Sequence, residues 1–231
     1  MSEQDLFVKI CGMTTVDDAL LAVALGADAV GFIFAPSKRQ IAPARARDIA
    51  ARIPAETLTV GVFRNEARER VVDIVHTAGL RAVQLHGDES VEDTAWIAER
   101  VPFVIKAMAA GSPQARHAAD FPVQAVLVDA PTPGSGEVFD WSLADTMPIG
   151  LRMILAGGLD PDNVAEAIAT VRPWGVDVAS GVESEPGRKD PTRMRRFIQN
   201  AKAAGELLEQ QESHPTASSH GGEAMYDWRD E

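Results

Sequence analysis

The chain has 231 residues, 45% of them apolar and 24% charged, and its 34 acidic against 22 basic side chains give a formal net charge of -12. That length suits one large domain or two small ones, and the acidic balance speaks against binding nucleic acid or docking on an anionic membrane, both of which draw on clustered Lys and Arg. The charge divides unevenly: from Glu206 to Glu231 seven acids and one base leave -6, and residues 1 to 205 carry the other -6.

The first apolar run, Leu6 to Cys11, is followed by Thr14 or Thr15 as the cap of a helix through Leu20, Leu21 and Leu25 that stops at Gly26. Further short runs rich in Val, Ile, Leu and Phe lie at Ala29 to Phe34, Leu58 to Phe63, Ala82 to Leu85, Phe103 to Lys106, Ala125 to Asp129, Met153 to Ala156 and Val176 to Ala179. Such runs are too short for helices and too uniformly apolar for strands with one wet face, so they read as strands of a parallel sheet buried on both sides. Asp160-Pro161 opens a helix through Val164, Ala167 and Ile168, and Asp190-Pro191 opens another through Met194, Phe197 and Ile198. Eight strands alternating with helices predict an α/β fold, a single-domain (β/α)8 TIM barrel over residues 1–205. An open doubly wound sheet is the competitor, but no Gly-x-Gly-x-x-Gly opens a helix after the first strand. After about Gly205 the pattern stops, and Gln210 to Gly222 is too polar to bury enough surface to offset its ordering entropy. Residues 206–231 are therefore expected to form a flexible acidic extension.

One cysteine, Cys11, excludes an internal disulfide and any multi-cysteine zinc site, and with it a metal centre of that kind. No apolar run approaches the roughly 20 residues that span a bilayer, and Met1-Ser2-Glu3-Gln4-Asp5 lacks the features of a secretory signal, so a cytoplasmic location is expected.

In a barrel the chemistry sits at the C-terminal ends of the strands. Polar or glycine residues close six of the eight runs: Lys9-Ile10-Cys11-Gly12, Phe34 followed by Ser37-Lys38-Arg39, Gln84-Leu85-His86-Gly87, Val128-Asp129, Ala156-Gly157-Gly158 and Asp177-Val178-Ala179-Ser180-Gly181. Singly each is weak, since a lone cysteine is more often a small buried hydrophobe than a reactive thiol. Together they mark one end of the barrel. Gly157, Gly158, Ser180 and Gly181 let backbone amides approach a ligand after strands seven and eight, where many barrels bind phosphate. An acidic protein can hold a phosphate dianion there, because the donors are aimed locally.

These strings, with Gly134-Ser135-Gly136 leading to Phe139-Asp140-Trp141 and with Val182-Glu183, Gly187, Lys189 and Asp190, resemble the phosphoribosylanthranilate isomerase family of tryptophan biosynthesis over about residues 7–200. The resemblance implies an Amadori rearrangement of N-(5-phosphoribosyl)anthranilate, an aminoaldose, to the 1-deoxyribulose 5-phosphate aminoketose, without metal or organic cofactor. It implies Cys11 as general base and Asp129 as general acid, Arg39 as the partner of the anthranilate carboxylate, and Gly157, Gly158, Ser180 and Gly181 as the phosphate site. His86, Asp177 and Lys9 are expected to line the substrate site, with Lys9, on the same strand face as Cys11, helping to hold a thiolate. A small phosphosugar is the expected partner, and the protein a monomer or homodimer.

Two enzymatic rivals share a phosphate-binding barrel. Indole-3-glycerol phosphate synthase wants lysines and a glutamate at strand ends, and Lys106 is the lysine closing a later strand; a ribulose-phosphate epimerase wants a metal-binding His and Asp set, for which five histidines, two beyond residue 206, are few. A non-catalytic phosphosugar-binding protein would need neither Cys11 nor Asp129.

Overall fold

The computed structural model describes residues 6–130 and 150–213. Eight strands run in chain order around a closed ring: β1 (Phe7–Ile10), β2 (Ala29–Ile33), β3 (Leu58–Phe63), β4 (Ala82–Leu85), β5 (Phe103–Ala109), β6 (Ala125–Asp129), β7 (Met153–Leu155) and β8 (Gly175–Val178). Every neighbouring pair is parallel, and β8 closes on β1 with Lys9 opposite Asp177. All eight expected strands are present, three of them (β3, β4 and β6) with the expected ends and the others shifted by one to three residues, and the (β/α)8 barrel is the observed fold.

Side-chain alternation explains why the strands are apolar on both faces. Phe7, Ala29, Val60, Ala82, Ile105, Leu127 and Ile154 fill the barrel interior, with Phe7 stacked on Trp174 at 4.6 Å. The alternate residues, among them Val8, Ile10, Val30, Phe32, Phe63, Val83 and Leu85, pack outward under the helices.

Those helices are α1 (Val16–Ala24), α2 (Pro43–Ala50), α3 (Arg68–Thr77), α4 (Val91–Ala98), the single turn α5 (Pro113–Arg116), α6 (Val164–Val171) and α7 (Pro191–Ser213). Thr15 caps α1 by accepting the Asp18 amide, and Gly26 leaves the helix at φ +98°, as the sequence suggested. Asp190 Oδ1 accepts the amides of Thr192 and Arg193 at the start of α7.

Two boundaries differ. Asp160 caps a turn rather than the helix itself, and α6 starts at Val164. Asn163 bonds back to the Gly158 carbonyl and the Asp160 amide, a local alternative that delays the helical ladder. At the other end α7 runs on to Ser213, past the limit set at Gly205. Glu206 to Gln211 are all good helix formers, and Leu208 still reaches the core. Between β8 and α7 a small antiparallel hairpin, β9 (Glu183–Glu185) with β10 (Arg188–Lys189), folds over the barrel mouth. The Gly134-Ser135-Gly136 and Phe139-Asp140-Trp141 motifs, and the last 18 residues, lie outside the described residues.

Candidate active site

Strand parity carries a polar layer above the apolar interior. Lys9 and Cys11 continue the inward face of β1, Gln84 and His86 that of β4, Asp129 that of β6 and Asp177 that of β8. Cys11, Arg39, His86, Asp129, Gly157, Gly158, Asp177 and Ser180 all line one cavity of about 260 Å³ at the C-terminal ends of the strands. Two expected site residues are not in its lining. Lys9 is wholly buried beneath it, its ammonium 2.8 Å from Asp177 Oδ1, and so is placed to act on neighbours rather than on a ligand. Gly181 packs against the Leu159 carbonyl, where a side chain would collide.

Cys11 is held by its own amide, which donates to Val178 O at 2.8 Å, and by the space that Gly31 leaves on β2. Burial pushes its thiol above the usual value of 9.0; Lys9 and Lys189 pull the other way and Asp177 adds to the rise. The cationic help expected from Lys9 is thus present but outweighed by desolvation. Burial also opposes the charge of Lys9, yet Asp177 and Cys11 together lift the ammonium above its usual 10.5.

Across the mouth, Asp129 Oδ1 accepts the Ala130 amide at 2.8 Å and Oδ2 lies 3.2 Å from His86 Nε2. Gln84 Nε2 stands 2.9 Å from His86 Nδ1. With the Gln84 amide in this orientation its nitrogen donates to Nδ1, an arrangement that suits the tautomer with its hydrogen on Nε2, facing Asp129. Gln84 is buried, and among the described residues its Oε1 has no partner.

Arg39 lies on the loop after β2, beside Gly12, whose positive φ of +79° and missing Cβ let the arginine stem pass. Its Nε and Nη2 each donate to Glu183 at 2.8 Å, a bidentate pair that raises the guanidinium above its usual value. Glu183 also takes Lys189 at 3.1 Å, and Lys189 donates to Ala179 O at 2.8 Å. Burial opposes the charge of Glu183, but these two cations hold its carboxyl below 4.5, while burial drags Lys189 below 10.5.

On the opposite rim Gly157 and Gly158 adopt φ of +84° and +68°. A Cβ on Gly157 would stand 2.5 Å from the Ala130 nitrogen, so the turn needs glycine for space as well as for φ. Among the described residues no protein acceptor takes the amides of Gly157, Gly158, Ser180 or Gly181.

A sequence profile described as PRAI, N-(5'phosphoribosyl)anthranilate (PRA) isomerase, matches residues 8–200. The chain belongs to the phosphoribosylanthranilate isomerase family. It is 48% identical over 204 residues to the N-(5'-phosphoribosyl)anthranilate isomerase of Desulforudis audaxviator, covering 85% of this chain and 98% of that protein. The crystal structure of the Thermus thermophilus isomerase superposes with a TM-score of 0.81 at 40% identity, covering 86% and 99% of the two chains. A further isomerase structure, in complex with reduced 1-(o-carboxyphenylamino)-1-deoxyribulose 5-phosphate, gives 0.76 at 43% identity over 86% and 99%. A structure at 43% identity and a TM-score of 0.74, covering 86% and 99%, is of monomers generated from the dimeric Thermotoga maritima isomerase.

In this isomerase Lys106 does not serve the site. It points outward from β5, fully buried, with its ammonium on the Gly87 carbonyl at 2.7 Å and Glu89 Oε2 at 2.9 Å, and it is absent from the cavity lining. Sequence reasoning passed over Gln84 as a site residue, along with Arg64, Glu183 and Lys189. Gln84 was findable from its place two residues before His86 on one strand face, and Arg64 from its place directly after β3. The tie between Glu183 and Arg39 spans 144 residues and has no local signal. No described helix is long and apolar enough to cross a membrane.

Proposed function

We propose that this chain isomerises N-(5-phosphoribosyl)anthranilate to 1-(2-carboxyphenylamino)-1-deoxyribulose 5-phosphate with Cys11 as base and Asp129 as acid. The observation that carries this reading is that Cys11 on β1 and Asp129 at the end of β6 border the same cavity as the glycine turns after β7 and β8.

Asp129 protonates the furanose ring oxygen as its bond to C1 breaks and the nitrogen lone pair forms an iminium. Cys11, as thiolate, takes the C2 proton; the C–H electrons become the C1–C2 double bond and the iminium electrons return to nitrogen. The resulting enol becomes the ketone when one proton reaches C1 and one leaves the C2 hydroxyl, which resets both groups. Burial makes the Cys11 thiolate scarce but a stronger base. Lys9 stabilises its charge from below without touching substrate. The amides of Gly157, Gly158 and Ser180 receive the phosphate, and the Nη1 of Arg39 is left for the anthranilate carboxylate. His86 and Asp177 act through Asp129 and Lys9.

The test is growth of a bacterium lacking this isomerase on medium without tryptophan, with Cys11→Ala and Asp129→Asn in parallel. Wild type should support growth. Each purified variant should lose roughly 10²–10⁴-fold in turnover, the usual worth of a general acid or base. No growth from soluble wild type, or near-normal turnover in either variant, would overturn the assignment. The barrel through α7 carries the activity, so removing residues 214–231 should leave turnover intact, and sedimentation distinguishes a monomer from a homodimer.

A further inference from the structure

The isomerase reading leaves one cation of the cavity unused. Arg64, on the loop directly after β3, lines the cavity and is exposed, and among the described residues it has no ion-pair or hydrogen-bond partner. The other arginine of the lining, Arg39, already spends its Nε and Nη2 on Glu183.

Position in the ring gives Arg64 its meaning. The strands follow one another in chain order around the closed barrel, so β3 stands opposite β7 and β4 opposite β8. A ligand whose phosphate sits on the glycine turns after β7 and β8 and which reaches across the mouth therefore ends over the loops after β3 and β4. His86, on the β4 side, is committed to Asp129 and Gln84. Arg64 is then the free planar fork at the far end of the path, and a carboxylate is the group that such a fork binds in bidentate fashion. Of the nearby acids, Glu66 on the same loop accepts the Ala67 amide, and Glu89, buried on the loop after β4, turns away to the Asn65 and Gly87 amides and to Lys106.

We propose that Arg64 is a specificity-determining residue that pairs with the carboxylate on the aryl end of the substrate, sharing that anion with the remaining edge of Arg39. The proposal rests on the isomerase reading above. Because Arg64 offers charge to a group remote from the reacting carbons, it contributes to binding more than to the chemical step.

The probes are the reduced product analogue 1-(o-carboxyphenylamino)-1-deoxyribulose 5-phosphate and its counterpart lacking the ring carboxyl, titrated calorimetrically into wild type, Arg64→Met and Arg64→Lys. Arg64→Met should bind the carboxylated analogue about tenfold more weakly, the order expected of one charge-assisted pair at a part-exposed site, and the decarboxylated one within about twofold of wild type. Arg64→Lys should recover part of the loss, since it keeps charge but not the fork. With substrate, the Arg64→Met effect should fall on KM and spare kcat. Equal losses on both analogues, or none on either, would overturn the role of Arg64 while leaving the isomerase reading in place. Wild type that binds neither analogue would overturn both.

Discussion

A methyl group at Gly31 would stand 2.8 Å from the sulfur of Cys11 and 3.3 Å from its Cα, so the second strand is hollowed to seat the thiol of the first. The same glycine carbonyl accepts the amides of Gly12 and Met13, at 3.0 and 2.8 Å, which turns the chain away from the mouth just after the cysteine.

Gly31→Ala should therefore be an active-site variant in effect. Overpacking costs roughly 1–3 kcal/mol, and a shift of the base by about an ångström can cost on the order of 10²-fold in rate. Thermal melting together with turnover measures both. A folded variant of unchanged kcat would show that the sulfur has other room.

With a single cysteine in the chain, alkylation reports on Cys11 alone. Burial holds its proton, so iodoacetamide labelling of the ligand-free protein should be half-maximal above pH 9.0, and labelling should still be climbing through the neutral range. Asp177→Asn removes a charge that raises the thiol and frees Lys9 to attract the thiolate, so that variant should label at lower pH. A midpoint near the free-thiol value of about 8.5 in the wild type would contradict the desolvation argument.

Gln84 sets which nitrogen of His86 bears the hydrogen. Nitrogen NMR of labelled histidine should find the Nε2–H form in wild type, and Gln84→Leu should lose that preference and lower kcat while Asp129 stays in place. Detection of the Nδ1–H form in wild type would reverse the direction of donation between Gln84 and His86.

The Glu89–Lys106 pair is a structural clamp, and its pH dependence has a definite sign. Burial opposes the charge of Glu89, but Lys106 and the backbone amides of Asn65 and of Glu89 itself hold its carboxyl below 4.5. The unfolded chain then binds the proton more readily, so the stabilisation is present above pH 4.5 and is lost as pH falls through the folded value. Chemical denaturation at pH 7 and pH 4 should show this decline in wild type and a shallower one in Glu89→Gln. Lys106→Met, which strands the carboxylate, should cost about 3–5 kcal/mol at neutral pH yet leave turnover of the folded fraction near normal. A catalytic defect without instability would revive a role for Lys106 in chemistry.

Much of this architecture is legible along the chain, because parallel strands buried on both sides leave unbroken apolar runs and eight of these recur. The same regularity exposes Cys11, His86, Asp129 and Asp177 as polar residues at run ends. What local pattern cannot carry is pairing across the ring. Lys9 looked like a ligand-facing cation by parity, and only the closure of β8 on β1 reveals that Asp177 claims it below the cavity floor. Nor does the loop after β2 reveal that Arg39, expected to meet a substrate carboxylate, is tied by Glu183 of the β9–β10 hairpin. The helix running on to Ser213 hides for a different reason: Glu206 to Gln211 is a polar stretch, and its single core contact, Leu208, makes no periodic signal.

The buried pair of Lys9 and Asp177 also bears on how such a barrel can be engineered. Apolar residues of equal volume often stabilise a fold when they replace a buried ion pair, so a search for heat resistance alone would be drawn to the plug beneath Cys11. The same exchange would remove the fully buried cation that, among the described residues, alone shares an inward strand face with the thiol. Robustness and reactivity compete here for one and the same few cubic ångströms.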